Sequence, residues 1–258
     1  MKVHEEELED VTKYLSNYSK KRLEDFDGQL NSYLRPIQKF KKIDSSTRIL
    51  EIGTGIGWFP IRCKQKGWDC LGLEISHQLV AYAKEFGKQY GVEPNIRVGN
   101  IEEADLGSNV FDVVVASNVF EHIELWRESV AIIYRMLKPG GVMFFESTNK
   151  FSPISYEYQG VPLYGWMPDG MRYAVRKMVQ GPDIMKLGID FNQFRHGELR
   201  AEFKKAGFSG IYDRIEMADE QWVSSEFRKK VVRLSKQSRL IKALSLTFSD
   251  ATRFICVK

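Results

Sequence analysis

The stretch Ile49-Leu50-Glu51-Ile52-Gly53-Thr54-Gly55-Ile56-Gly57 carries the clearest chemical signal in the chain. An apolar run closed by alternating glycines brings bare main chain up to a ligand with no side chain in the way. A second apolar run ends at Glu74, 21 residues after Gly53, where a carboxylate can accept hydrogen bonds from both hydroxyls of a ribose. Further on, Gly99-Asn100-Ile101-Glu102 places a carboxamide where an adenine edge could be read. A fourth run, Phe111 to Ala116, leads into Ser117-Asn118-Val119-Phe120-Glu121-His122. A glycine turn alone is not specific, because dinucleotide-binding domains use a similar one. Here, however, the position that a GxGxxG pattern reserves for its third glycine is Trp58. An indole there obstructs the close approach of a pyrophosphate, which counts against a nicotinamide dinucleotide.

These residues need a scaffold, and the chain supplies an alternating one. Arg48–Ile52, Cys70–Glu74, Asn95–Gly99, Phe111–Ala116 and Val142–Glu146 read as strands. Helical pattern separates them, with Ser76 as a cap for one helix and Lys138-Pro139-Gly140-Gly141 as the stop of another over 124–137. Strands alternating with helices give βαβ crossovers and a mostly parallel sheet. Before this unit, residues 4–43 read as helix with a break at Asp27-Gly28, and Pro36 suits the first turn of a further helix ending near Ile43. After it, 149–194 hold Pro153, Pro162, Pro168 and Pro182 and many aromatics, a long irregular segment of the kind that is usually functional. Helical pattern returns over Glu198–Ala206 and 219–242, with strands expected near Ile211–Ile215 and Thr252–Val257.

Glu51-Ile52-Gly53-Thr54-Gly55-Ile56-Gly57, Leu73-Glu74, Gly99-Asn100, Phe111-Asp112-Val113-Val114 and Leu137-Lys138-Pro139-Gly140-Gly141 together resemble the class I S-adenosylmethionine-dependent methyltransferases. Within that group the chain is most similar to the small-molecule branch that includes the ubiquinone-biosynthesis O-methyltransferases. The resemblance implies an α/β, Rossmann-like, mostly parallel seven-stranded sheet in the order 3-2-1-4-5-7-6, flanked by helices. It implies S-adenosylmethionine as cofactor and S-adenosylhomocysteine as product. Gly53 and Gly55 would lie beside the methionine moiety, with Glu51 helping to hold its ammonium group. Glu74 would take the ribose hydroxyls, and Asn100 with the Ile101 amide the adenine, although many relatives carry Asp at the position of Asn100; Thr54, Gly57 and Ile75 would also belong to the cofactor site. Ser117 and Asn118 would sit under the methionine chain near the sulfonium, with His122 as a structural or cofactor-wall residue. Residues 1–43 would form an N-terminal helical cap and 44–258 the methyltransferase domain, with 149–194 inserted as an acceptor-site lid.

The acceptor is less legible. Asn149, Tyr156, Tyr158, Trp166 and His196 are candidates to line its pocket, the last also as a helix cap; no residue stands out as a catalytic base. The expected reaction is methylation of a small-molecule or lipid-linked acceptor, at oxygen. A cofactor-binding partner subunit without activity is the alternative. The 258 residues, 43% hydrophobic, suffice for one large α/β domain and exclude wholesale disorder. A net charge of +4 is too small to argue for nucleic acid, and the (Asp/Asn)-Pro-Pro-(Tyr/Phe) turn of DNA amino-methylating relatives is absent after Asn118. Cys63, Cys70 and Cys256 form no CxxC pair and suggest neither a metal site nor a disulfide framework. The acidic N-terminus and the lack of a long apolar run point to a cytoplasmic protein. One basic run stands apart: between Phe227 and Lys242 there are seven Lys/Arg and no acid. With Phe227, Val231, Leu234 and Ile241 on one face, this helix could dock on anionic lipid or a phosphorylated carrier, or pack that stripe on the domain.

Overall fold

The computed structural model describes residues 11–154, 161–181, 190–223 and 225–258. Seven strands form one sheet: β1 (Arg48–Ile52), β2 (Asp69–Glu74), β3 (Ile96–Val98), β4 (Phe111–Ser117), β5 (Leu137–Ser147), β6 (Gly210–Asp213) and β7 (Thr252–Val257). Their order is β3-β2-β1-β4-β5-β7-β6. The first five run parallel, and β7 is antiparallel to both β5 and β6. The order and mixed sense agree with the expectation.

Successive residues on a strand face opposite ways, and both faces of this sheet are covered. Leu50, Ile52, Val114, Ala116 and Phe145 pack in one cluster with α5 (Trp126–Met136) and α7 (His196–Ala206). Ile49, Val113, Val115, Phe144 and Ile255 pack in another with α2 (Asp27–Gln38) and α3 (Trp58–Gln65). Burial on both sides explains why β4 reads as an unbroken apolar run rather than an alternating one.

The N-terminal segment differs from expectation. After α1 (Thr12–Tyr18) a 3-10 turn at Leu23–Phe26 runs directly into α2, so Asp27-Gly28 opens a helix instead of breaking one. Gly28 has open space around it and no positive φ. Pro36 lies in the last turn of α2, not the first. Burial of Leu30, Tyr33, Leu34 and Ile37 outweighs the local preference, and the helix ends two residues after the proline. The Leu137–Gly141 stop is also part of β5, whose pairing with β4 is irregular between Phe111 and Val113.

Behind β2 runs α4 (His77–Lys88), capped by Ser76, whose Oγ accepts from the Leu79 amide. After β5 come α6 (Asp169–Gln180), α7 closed by the left-handed Gly207, and α8 (Arg214–Met217). The expected single helix over 219–242 is a 3-10 turn at Glu220–Trp222 followed by α9 (Glu226–Gln237) and α10 (Arg239–Thr247), parted at Ser238. No helix among the described residues is long and apolar enough to cross a membrane.

Candidate functional site

The C-terminal ends of β1, β2, β3 and β4 open into a cleft of about 760 Å³, the position where parallel α/β sheets bind their ligands. Its floor is the glycine turn. Gly53, Gly55 and Gly57 have φ of +71°, +53° and +77°, values that L residues rarely adopt. A Cβ at Gly53 would press on Val119, and one at Gly55 would meet the Tyr14 hydroxyl. The turn is pinned to the neighbouring strand, since the Gly53 amide donates to the Leu73 carbonyl at 2.8 Å.

Glu74 closes the arrangement. One carboxylate oxygen accepts from the Gly55 amide at 2.8 Å and the other from the Ser76 amide at 3.1 Å. Burial pushes its pKa up, while those main-chain donors pull the other way. A buried, oriented carboxylate beside bare main chain suits a ligand that offers hydroxyl donors.

Gly53, Thr54, Gly55, Glu74, Ile75, Asn100, Ile101, Ser117, Asn118 and His122 all line this cleft. Asn118 holds the left-handed φ of +51° that asparagine tolerates, and its amide donates to the Glu146 carbonyl. The Asn100 Oδ1 accepts from the Glu102 amide at 3.0 Å, and a carboxamide oxygen retains a second lone pair.

Two expected residues stand behind the wall. Glu51 is buried outside the lining, and its carboxylate accepts from the Thr54 hydroxyl. Burial pushes its pKa well up, while the Thr54 hydroxyl pulls the other way. Gly57 starts α3, where a Cβ would strike Ala83 and Ile96. Its glycine serves helix-to-strand packing rather than ligand approach.

The acceptor candidates fare differently. Tyr156 and Tyr158 lie outside the described residues. Asn149 is buried away from the cleft, its Nδ2 donating to the carbonyls of Leu246, Thr247 and Ser249. Trp166 is half exposed and packs between Phe151 and Phe248. His196 neither lines the cleft nor caps its helix. Its Nε2 is buried without a partner, and burial, with Arg214 and Arg200 nearby, brings its pKa down to about 4.

Residues not assigned to the site from sequence complete the walls. Tyr14, Tyr18, Phe26, Tyr33 and Trp58 line one side, with Phe26 stacked on Trp58 at 5.2 Å. Trp58 therefore helps form the ligand site that its position was expected only to restrict. Tyr33 donates to the Ser117 Oγ at 2.9 Å, and Ser117 in turn faces Glu146 on the adjacent strand. Burial and the Glu146 charge push the Tyr33 pKa up, so it holds its proton. Arg176 and Gln180 of α6 also line the cleft. Tyr14, three residues after Val11 and four before Tyr18, shares their helical face, but spacing alone does not say whether that face meets the core or a ligand.

A sheet in this order, with a glycine turn clasping a buried acid at its C-terminal edge, defines the class I methyltransferase fold. Residues 50–145 match the model of a methyltransferase domain. It is similar to the ubiquinone biosynthesis O-methyltransferase of Bordetella avium, 24% identical over 64% of this chain and 65% of that one. The counterpart from Methylococcus capsulatus is 31% identical over 40% of this chain and 44% of that one. The chain spans between about half and two thirds of the length of the first three such relatives. Among solved structures, an S-adenosylmethionine-dependent methyltransferase from Archaeoglobus fulgidus superposes with a TM-score of 0.58 at 18% identity, covering 95% of this chain and 99% of that one. The phosphoethanolamine N-methyltransferase 2 of Haemonchus contortus, solved with S-adenosyl-L-methionine, gives 0.56 at 19% identity over 88% and 52%. At these identities the structures speak for the fold.

Proposed function

We propose that the protein binds S-adenosylmethionine in this cleft and transfers its methyl group to a small-molecule or lipid-linked acceptor, at oxygen. The observation that carries the reading is the Gly55 amide held 2.8 Å from the Glu74 carboxylate, which joins bare main chain to a hydroxyl-binding acid. Gly53, Thr54 and Gly55 make room for the methionine portion, Glu74 and Ile75 hold the ribose, and Asn100 with Ile101 meets the adenine. Ser117, Asn118 and His122 flank the reacting end. Glu51 acts through Thr54 as a positioning residue. The described parts of 149–194 act as a lid over the acceptor through Arg176 and Gln180, and residues before β1 act as a cap through Tyr14, Tyr18 and Tyr33. Oxygen as the methylated atom draws support from relatives named O-methyltransferases.

The sulfonium of the cofactor supplies an electrophilic methyl group. The protein's task is then to align the acceptor about 3 Å from it and keep water out, and the aromatic wall of Tyr14, Tyr18, Phe26 and Trp58 suits both. Calorimetric titration with S-adenosylmethionine is expected to show one site. Glu74→Gln should weaken it roughly tenfold to a hundredfold, because hydrogen bonds to a charged group are lost. Folded wild-type protein that takes up no S-adenosylmethionine would overturn the proposal.

A further inference from the structure

The basic run after Phe227 covers only part of its apolar stripe: Val231 and Ile241 are partly covered, while Phe227 and Leu234 are exposed. Helix α9 buries Val232 and Ser235, and the Ser235 Oγ meets the Ser245 Oγ of α10 at 2.9 Å. That contact turns the other face outward: Phe227 is 75% exposed and, four and seven residues on, Val231 is partly covered and Leu234 exposed. Helix α10 contains no buried residue at all, with Leu240 70% and Leu244 51% exposed.

The cations on this pair of helices divide into two sets. Lys229, Arg233 and Lys242 are ion-paired with Glu226, Glu220 and the Asp213–Glu216 pair, and Lys236 donates to the Ala218 carbonyl. Arg228, Lys230 and Arg239 are exposed and have no ion pair among the described residues. Three uncommitted cations therefore stand among protruding apolar side chains. Of the acids nearby, Glu220 is taken by Arg233, and Glu226, at the start of α9, is shared with Lys229.

We propose that α9 and α10 form a docking surface for an anionic lipid bilayer. Phe227, Leu240 and Leu244 enter the headgroup boundary while Arg228, Lys230 and Arg239 meet lipid phosphates, the division of labour of an interfacial amphipathic helix. Single apolar side chains separated by cations suit a fluid interface. A nucleic acid would use the cations and leave the leucines in water. The placement is consistent with the cleft: β7 runs antiparallel, so it begins at the edge of the sheet where the parallel strands end. Asn149, at that edge, grips the carbonyls ending α10. A bilayer on these helices would thus approach the rim on which the cleft opens.

This surface stands independently of the methyl-transfer reading, and so does its test. In flotation assays the full chain should rise with phosphatidylcholine vesicles containing phosphatidylglycerol, remain behind with phosphatidylcholine alone, and detach as salt is raised. The triple variant Arg228→Glu, Lys230→Glu, Arg239→Glu should weaken vesicle binding roughly a hundredfold. Phe227→Ser, Leu240→Ser, Leu244→Ser should weaken it comparably, with circular dichroism and the urea-unfolding midpoint unchanged in both variants. Wild-type protein that does not float with anionic vesicles at low salt overturns the proposal, as does charge reversal that leaves flotation intact. Binding indifferent to the apolar substitutions overturns it in favour of simple polyanion adsorption. Self-association abolished by the same variants, without flotation, overturns it in favour of a second copy of the chain.

Discussion

At the scale of single residues, the glycine turn shows two different reasons for the same residue type. Gly53 and Gly55 border the cleft, whereas Gly57 lets α3 approach Ala83 and Ile96. The spacing announced all three, but only the packing separates their roles. Gly55→Ala meets two obstacles: a φ of +53°, and the Tyr14 hydroxyl 2.5 Å from the new Cβ. A loss of about 1–3 kcal/mol in urea unfolding is expected. Adding Tyr14→Phe should recover part of it, because the hydroxyl contact goes while the backbone strain stays. Equal loss in the single and double variants would mean that Tyr14 does not rest on the turn. Asn149 and His196 mark where residue type misled. Each has polar atoms suited to an acceptor site, yet Asn149 is spent on main-chain carbonyls and His196 is packed beside Phe254 at 5.6 Å.

At the scale of elements, adjacent strands hand side chains to one another. Ser117 of β4 pairs in register with Glu146 of β5, which pairs with Arg253 of β7. Strands far apart in sequence thus place a hydroxyl, a carboxylate and a guanidinium in one row, with Tyr33 of α2 bonded to the first. Long-range pairing of this kind has no local signature, which is why Tyr33 was not singled out. The C-terminus of α10 is held by a side chain distant in sequence, because Asn149 donates to the carbonyls of Leu246 and Thr247. Asn149→Ala should cost about 1–3 kcal/mol and speed amide hydrogen exchange over 239–249 ahead of β4 and β5. Unchanged exchange there would show that the helix end is held by other means. The division of 219–242 into a 3-10 turn and two helices escaped the sequence reading for a related reason. Apolar and basic residues recur at helical spacing straight through Ser238, and only its side chain, accepting from the Ile241 amide, restarts the helix.

At the scale of the whole molecule, stability should vary with pH through groups set deep in the fold. His196 has a folded pKa near 4, below its unfolded value of about 6.5, so acid protonates the unfolded chain first. Its neutral form is therefore fully accommodated above about pH 6.5, and that contribution falls as pH drops toward 4. Buried Glu51 and Glu74, with raised pKa values, act in the opposite sense above their unfolded range. Asp112 and Glu216 are brought down to about 2 despite partial burial, by Lys138 and Lys242 foremost; they lose their share only below about pH 4.5. A comparison of variants isolates the histidine. Relative to wild type, His196→Phe should gain roughly 2–3 kcal/mol between pH 7 and 4.5, read by denaturant unfolding at each pH. Parallel pH profiles for the two proteins would show that His196 is solvated in the native state.

By itself the sequence determined the βαβ alternation and the strand ends that carry Gly53, Glu74, Asn100 and Ser117. Those features are local: a strand needs its apolar run, a turn its glycines, and a carboxylate at a strand end can only emerge at the sheet's edge. The tertiary structure alone decided which aromatics wall the cleft, that Asn149 and His196 lie outside it, and that α9 leaves Phe227 and Leu234 exposed. Each of these depends on which surfaces meet across long stretches of chain, and the periodicity of a helix says which residues share a face but not what that face touches.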